Sequence, residues 1–282
     1  MRPALTLPFA STLLVALACA AGSPPPAPIP AAPAPVAAPA APIPAEPAPV
    51  EAPPPAPDLR ARPPEGWVDL AEHVPGVVLD VRYATPDNFT ETQLPGYGVP
   101  GAWLRQAPAD ALVRVQAALG AQGYGLKIYD AYRPLRATKA MVAWAKRSDK
   151  VYLLDQHYVS RYSGHNRGNT VDLSVIRLAD GQELDMGTAW DTLSEASHTS
   201  NATGAALDHR MLLKATMRAQ GFVNYWKEWW HFVYTEPGEK ELPHRDVPYA
   251  CFEPAEGAFS APPGWDVPGT AVPKVIAPAP CP

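Results

Sequence analysis

Strong charge of either sign is missing from this sequence. Its 282 residues carry 23 Lys and Arg against 28 Asp and Glu, a net charge of −5. That balance supplies no basic patch for nucleic acid and no strong field toward an acidic partner. Long apolar runs are also lacking: Leu5 to Ala18 is mostly apolar but too short for a comfortable membrane span. No internal repeat is present. The helical H-E-x-x-H signature of many zinc peptidases, with two His one turn apart, is absent as well. Cysteine is scarce, with Cys19, Cys251 and Cys281 the whole complement.

Proline and alanine are abundant instead, and unevenly placed. Residues 24–57 are nearly all Pro and Ala. Proline has no backbone N–H and alanine buries little area, so this stretch reads as an extended spacer without a core. At about 3.1 Å per residue it would reach on the order of 100 Å. Ahead of it, Arg2 and the apolar Leu5–Ala18 run read as an export signal. Leu17-Ala18-Cys19-Ala20 resembles a bacterial lipoprotein cleavage box, although Ala16 stands where Leu is usual. The alternative is an ordinary signal peptide cut near Ala21. The expected organisation is a leader over 1–19, a Pro/Ala-rich linker over 20–62, a folded domain over 63–256 and a Pro-rich tail over 257–282. The expected location is outside the cytoplasm, periplasmic or membrane-anchored through a lipidated Cys19. Cys251 and Cys281 then remain as an even pair in a disulfide-permissive compartment, either bridged or as free thiols.

The folded part, close to 200 residues, suffices for one domain with a sizeable core. Val77 to Tyr83 reads as a strand, and Thr85 to Pro100 as a long loop. Apolar spacing predicts helices over 108–122, 134–147 and 205–220, closed in the first and last cases by Gly123 and Gly221. Leu126–Asp130 and Thr170–Leu178 read as strands, and Phe222–Tyr234 as paired strands around a Glu228 segment. Helices and strands mix without a regular βαβ rhythm. The predicted class is therefore α+β: a single domain with a central, mostly antiparallel sheet flanked by helices.

Two short stretches carry chemistry. Ser163-Gly164-His165-Asn166-Arg167-Gly168-Asn169-Thr170-Val171-Asp172 offers an imidazole and a carboxylate, and Glu228-Trp229-Trp230-His231 offers another of each. Two His and one Asp form a zinc ligand set with a position left open, and a spare Glu suits a general base. Taken singly, each has a plainer reading. A lone His is more often a hydrogen-bonded surface or core residue, and Glu228 could cap a turn among tryptophans. Asp172 is the odd one, because a carboxylate among Val and Leu is costly to bury without a metal or an arginine.

The two stretches resemble the paired signatures of the zinc D-alanyl-D-alanine dipeptidases, the vancomycin-resistance type related to zinc D,D-carboxypeptidases. The resemblance extends to Asp80-Val81-Arg82-Tyr83-Ala84-Thr85-Pro86-Asp87-Asn88-Phe89, to Asp130-Ala131-Tyr132-Arg133-Pro134 and to Met186-Gly187-Thr188-Ala189-Trp190-Asp191, all in order. It implies one zinc ion per chain on His165, Asp172 and His231. It implies that Glu228 is the base and that Arg133 stabilises the tetrahedral intermediate. It further implies that Asp191 meets the substrate's ammonium, and Ser163 is read as a hydrogen-bonding contact to the substrate. Without the resemblance, Arg133 would be read as a salt-bridge partner of Asp130. The implied activity is cleavage of a small D,D-dipeptide in the cell envelope. The alternatives are a D,D- or L,D-carboxypeptidase trimming peptidoglycan stems, or a tethered envelope-binding module without turnover.

Overall fold

Thr170-Val171-Asp172-Leu173-Ser174-Val175-Ile176 is buried at every position. A strand covered on both faces belongs at the centre of a sheet. In the computed structural model, which describes residues 60–235 and 242–251, that is where it lies. The elements in chain order are β1 (Trp67–Asp69), α1 (Leu70–His73), β2 (Val78–Leu79), β3 (Trp103–Arg105), α2 (Gln106–Gly120), β4 (Tyr124–Asp130), α3 (Leu135–Arg147), α4 (Tyr152–Asp155), β5 (Thr170–Arg177), α5 (Gly204–Arg218), β6 (Phe222–Asn224) and β7 (His231–Tyr234). A five-stranded sheet runs β2-β4-β5-β7-β6, and β1 pairs with β3 in a separate two-stranded ribbon. Only β2 lies parallel to its neighbour; the other pairings are antiparallel. The expected α+β class with a mostly antiparallel sheet is what the chain adopts.

The helices follow their apolar spacing. Helix α2 buries Ala111, Leu112, Val115 and Leu119 on one face, and α5 buries Ala206, Leu213 and Met217. Each predicted helix is present within a few residues of its expected ends. One strand is corrected. The Val77–Tyr83 run pairs only at Val78–Leu79, against Lys127 and Ile128 of β4. Beyond Asp80, whose N–H donates to Ile128 O, the chain tightens into a 3-10 turn over Arg82–Ala84. That turn buries the Tyr83 ring, and tertiary packing outweighs the local β preference. The strands β1 and β3, three residues each, are too short to leave a period in the sequence.

The last described segment, Leu242–Cys251, holds no regular element yet is tied into the fold. The Ala61 N–H donates to Tyr249 O, and the Tyr249 N–H donates to Gly96 O. Cys251 is disulfide-bonded. The leader, Cys19, the Pro/Ala-rich spacer, Cys281 and most of the Pro-rich tail lie outside the described residues.

Candidate metal centre

The sheet places two of the proposed ligands side by side. Asp172 of β5 is the register partner of His231 of β7, and on its other side it pairs with Asp130 of β4. Directly opposed residues on neighbouring strands project to the same face. Three acidic or imidazole side chains therefore stand in a row across the sheet. An irregularity in register between Ile128 and Asp130 brings Asp130 into line.

His165 arrives from a 3-10 turn over Gly164–Arg167. Ser163 caps that turn: its hydroxyl accepts from the His165 N–H at 3.3 Å, while the Asn166 side chain accepts from the Ser163 N–H at 3.0 Å. Gly168 ends the turn at φ +72°, and a Cβ there would come within 2.1 Å of the Trp67 ring. Both the backbone conformation and the lack of space require glycine.

His165 Nε2, Asp172 Oδ1 and His231 Nδ1 converge. The separations are 3.2 Å from His165 to Asp172, 3.0 Å from His231 to Asp172 and 3.3 Å between the two imidazole nitrogens. The other ring nitrogen of His165, Nδ1, lies 2.6 Å from Ala131 O. A carbonyl only accepts, so Nδ1 carries the proton and Nε2 turns its lone pair into the cluster. Such outer hydrogen bonding is how a metal-binding imidazole is oriented. A bare imidazole lone pair facing a buried carboxylate is unfavourable unless a proton or cation lies between them. The donor set and its convergence fit a divalent metal with N and O preference.

A cavity of about 300 Å³ opens over the cluster, and Arg133, Ser163, Asp172, Asp191, Glu228 and His231 all line it. Every side chain expected at the site thus reaches it, with His165 wholly buried beneath. Glu228 sits in the tight connection between β6 and β7, where its N–H donates to Tyr225 O. Its Oε2 is 3.5 Å from His231 Nδ1. Trp229 and Trp230, both buried, anchor that connection, and the Trp229 indole N–H donates to Thr188 Oγ1. Burial, reinforced by the charge of Asp172, pushes the Glu228 carboxyl up to about 8.

Arg133 does two things at once. Its Nε and Nη2 both donate to Asp130 Oδ2, at 2.9 and 2.8 Å, as the plainer sequence reading expected. Its Nη2 also lies 3.7 Å from Asp172 Oδ2, at the cavity wall. Burial opposes its charge, but Asp130 beside it outweighs that and holds the guanidinium firmly protonated. Asp130 is fully buried and reaches 3.3 Å from His165 Nδ1. Burial would raise the Asp172 carboxyl, yet the adjacent His165 and His231 imidazoles hold it well below the usual carboxylate range.

At the far wall, the Tyr83 hydroxyl donates to Asp191 Oδ2 at 2.7 Å. Asp191 adopts a left-handed backbone, φ 58°, and burial pushes its carboxyl well above the ordinary range. The sequence marks neither Tyr83 nor Tyr97, whose hydroxyl donates to Asp130 Oδ1 at 2.5 Å, as a site residue. Tyr83 lies inside one of the blocks that carried the resemblance. Tyr97 lies in the long loop, where no pattern marks it.

Comparison with known proteins gives one family. A family model described as D-ala-D-ala dipeptidase matches residues 64–253. A D-alanyl-D-alanine dipeptidase of Enterococcus faecium is 34% identical over 200 residues, covering 65% of this chain and 94% of the relative. One from Enterococcus faecalis is 36% identical over 182 residues, 59% of this chain and 90% of the relative. One from Escherichia coli is 35% identical over 187 residues, 66% and 92% respectively.

Proposed function

The chain belongs to the D-ala-D-ala dipeptidase family of metallopeptidases, and from that premise we propose that it hydrolyses D-alanyl-D-alanine to two D-alanines with one zinc ion outside the cytoplasm. The observation that carries the reading is the convergence of His165 Nε2, Asp172 Oδ1 and His231 Nδ1 at 3.0–3.3 Å beneath a cavity shared with Glu228, Arg133 and Asp191. Those three residues would hold the zinc. When bound, zinc polarises a carbonyl and brings the pKa of a water toward neutral.

Each remaining role belongs to a side chain of this protein. Glu228 takes a proton from the attacking water as the new C–O bond forms. It returns that proton to the departing amine as the C–N bond breaks. A divalent cation nearby favours its ionised form, and so brings it from about 8 toward the range a base needs. Arg133, pinned by Asp130, aims a fixed cation at the developing oxyanion, where preorganised donors contribute most. Asp191, steadied by Tyr83, accepts from the substrate's free ammonium. Ser163 offers a hydroxyl at the cavity edge. A half-buried carboxyl at the cavity wall that ionises when an ammonium approaches favours a substrate with a free N-terminus nearby, hence a dipeptide over a peptidoglycan stem.

The export signal, the Pro/Ala-rich spacer and Cys19 support a periplasmic or lipid-anchored location, and they support a linker and tail flanking one catalytic domain. The test is D-alanine release from D-alanyl-D-alanine and from a pentapeptide stem, with and without a chelator. Release from the dipeptide should vanish with chelator and return with zinc, and Glu228→Ala should lower kcat by roughly 10²–10⁴. Activity that survives chelation, or preference for the pentapeptide, would sink the reading.

A further inference from the structure

The oxyanion arginine and the buried ligand His165 sit on different segments, and the backbone of one residue outside both bonds to each. The Arg245 N–H donates to Asn166 O at 2.8 Å, and Arg245 O accepts from the Leu135 N–H at 2.9 Å. Asn166 follows His165, and Leu135 stands two residues after Arg133. The neighbours of Arg245 extend the contact along the arginine's segment. Asp246 Oδ1 accepts from the Arg136 N–H at 2.8 Å and from its Nε at 3.0 Å. The Val247 N–H donates to the Tyr132 hydroxyl at 2.7 Å, and the Tyr249 hydroxyl donates to Tyr132 O at 2.6 Å.

Helix α3 has no cap of its own, because its first flanking residue is Pro134, which makes no side-chain capping bond. Asp246 supplies the missing acceptor from outside the helix. Arg133 lies between that helix start and Tyr132, so the contacts bracket it. Arg133 also shares two bonds with the His165 turn: its N–H donates to His165 O at 3.1 Å, and its carbonyl accepts from the Asn166 side chain at 2.7 Å.

We infer that the segment Leu242–Cys251 is a positioning strap that sets Arg133 relative to the His165 turn, with Asp246 and Tyr249 as its positioning residues. None of these residues lines the cavity, and Asp246 bonds Arg136 on the arginine's segment, so its effect on turnover passes through Arg133. The inference rests on the oxyanion role proposed for Arg133. A small misplacement of a preorganised donor lowers the rate steeply, while substrate affinity set at the Asp191 wall is untouched.

The test is a double-mutant cycle on the full chain loaded with zinc. Asp246→Ala should lower kcat about 10-fold with KM changed less than about 2-fold, and Asp246→Asn, which keeps the acceptor for the Arg136 N–H, should restore most of it. In an Arg133→Ala background the same Asp246→Ala change should cost less than about 2-fold. Should Asp246→Ala fail to fold because Arg136 loses its partner, Tyr249→Phe carries the cycle, since it keeps the ring and removes only the hydroxyl that donates to Tyr132 O and accepts from the Trp103 N–H. An equal loss in both backgrounds, or a loss confined to KM, overturns the strap alone. An Arg133→Ala variant with unchanged kcat overturns the oxyanion reading and the strap with it.

Discussion

Asp172 Oδ1 and His231 Nδ1 lie 3.0 Å apart because the two residues are register partners across β5 and β7. Two of the three candidate ligands are thus fixed by backbone pairing, and the third is delivered by a capped turn. A ligand set on paired strands costs little to preorganise, since the ladder already fixes both Cβ positions. A slip of one residue in β7 would turn His231 to the opposite face and abolish the cluster.

His165→Ala and His231→Ala should separate metal binding from folding. His165 is fully buried and hydrogen-bonded to Ala131 O, whereas His231 is partly exposed. Both variants should lose most of their metal by elemental analysis. Only His165→Ala should also lose stability without metal, by about 2 kcal/mol or more in urea unfolding, through the cavity and the unpaired carbonyl.

Metal-free stability should fall as pH rises, in part through Glu228. Its carboxyl goes from 4.5 up to about 8 in the folded chain, chiefly through burial. The folded state therefore holds a proton that the unfolded state releases. The stability is fully present below the unfolded pKa and is lost as pH rises through that window. Glu228→Gln in chelator should flatten the dependence by a few kcal/mol at most between about pH 5 and about pH 8. Parallel curves for the two proteins would refute the assignment.

Gly168→Ala should be among the most damaging single-methyl changes in the described chain. The new Cβ meets the Trp67 ring at 2.1 Å on a backbone with φ +72°. A loss of about 2–4 kcal/mol in urea unfolding is expected, together with weaker metal binding, because the turn that carries His165 must shift. A variant with unchanged midpoint and metal content would contradict this.

Tyr83→Phe should act on substrate binding. It removes the hydroxyl that donates to Asp191 Oδ2 and leaves the ring packed on Trp190. KM for D-alanyl-D-alanine should rise roughly 10-fold with kcat changed little, as expected when an orienting contact is lost from uniform binding. A kcat loss at constant KM would place Tyr83 with the reacting atoms instead.

The sequence determined by itself the chemistry-bearing residue types, the three long helices and the central strand, because each is written locally; the four-residue helices α1 and α4 are too short to leave a period. His165 and Asp172 are read from one stretch, Glu228 and His231 from another, and the apolar spacing of α2 and α5 from their own residues. Asp130 showed only as one possible partner for Arg133, and the strap around Arg245 not at all. The register that sets Asp172 against both Asp130 and His231 and the shortening of the Val77–Tyr83 strand were likewise settled by the tertiary structure. Strand register and strap contacts join residues far apart in the chain, through backbone groups that every residue carries. No local period or residue type records which distant carbonyl an N–H will find, so only the folded packing decides it.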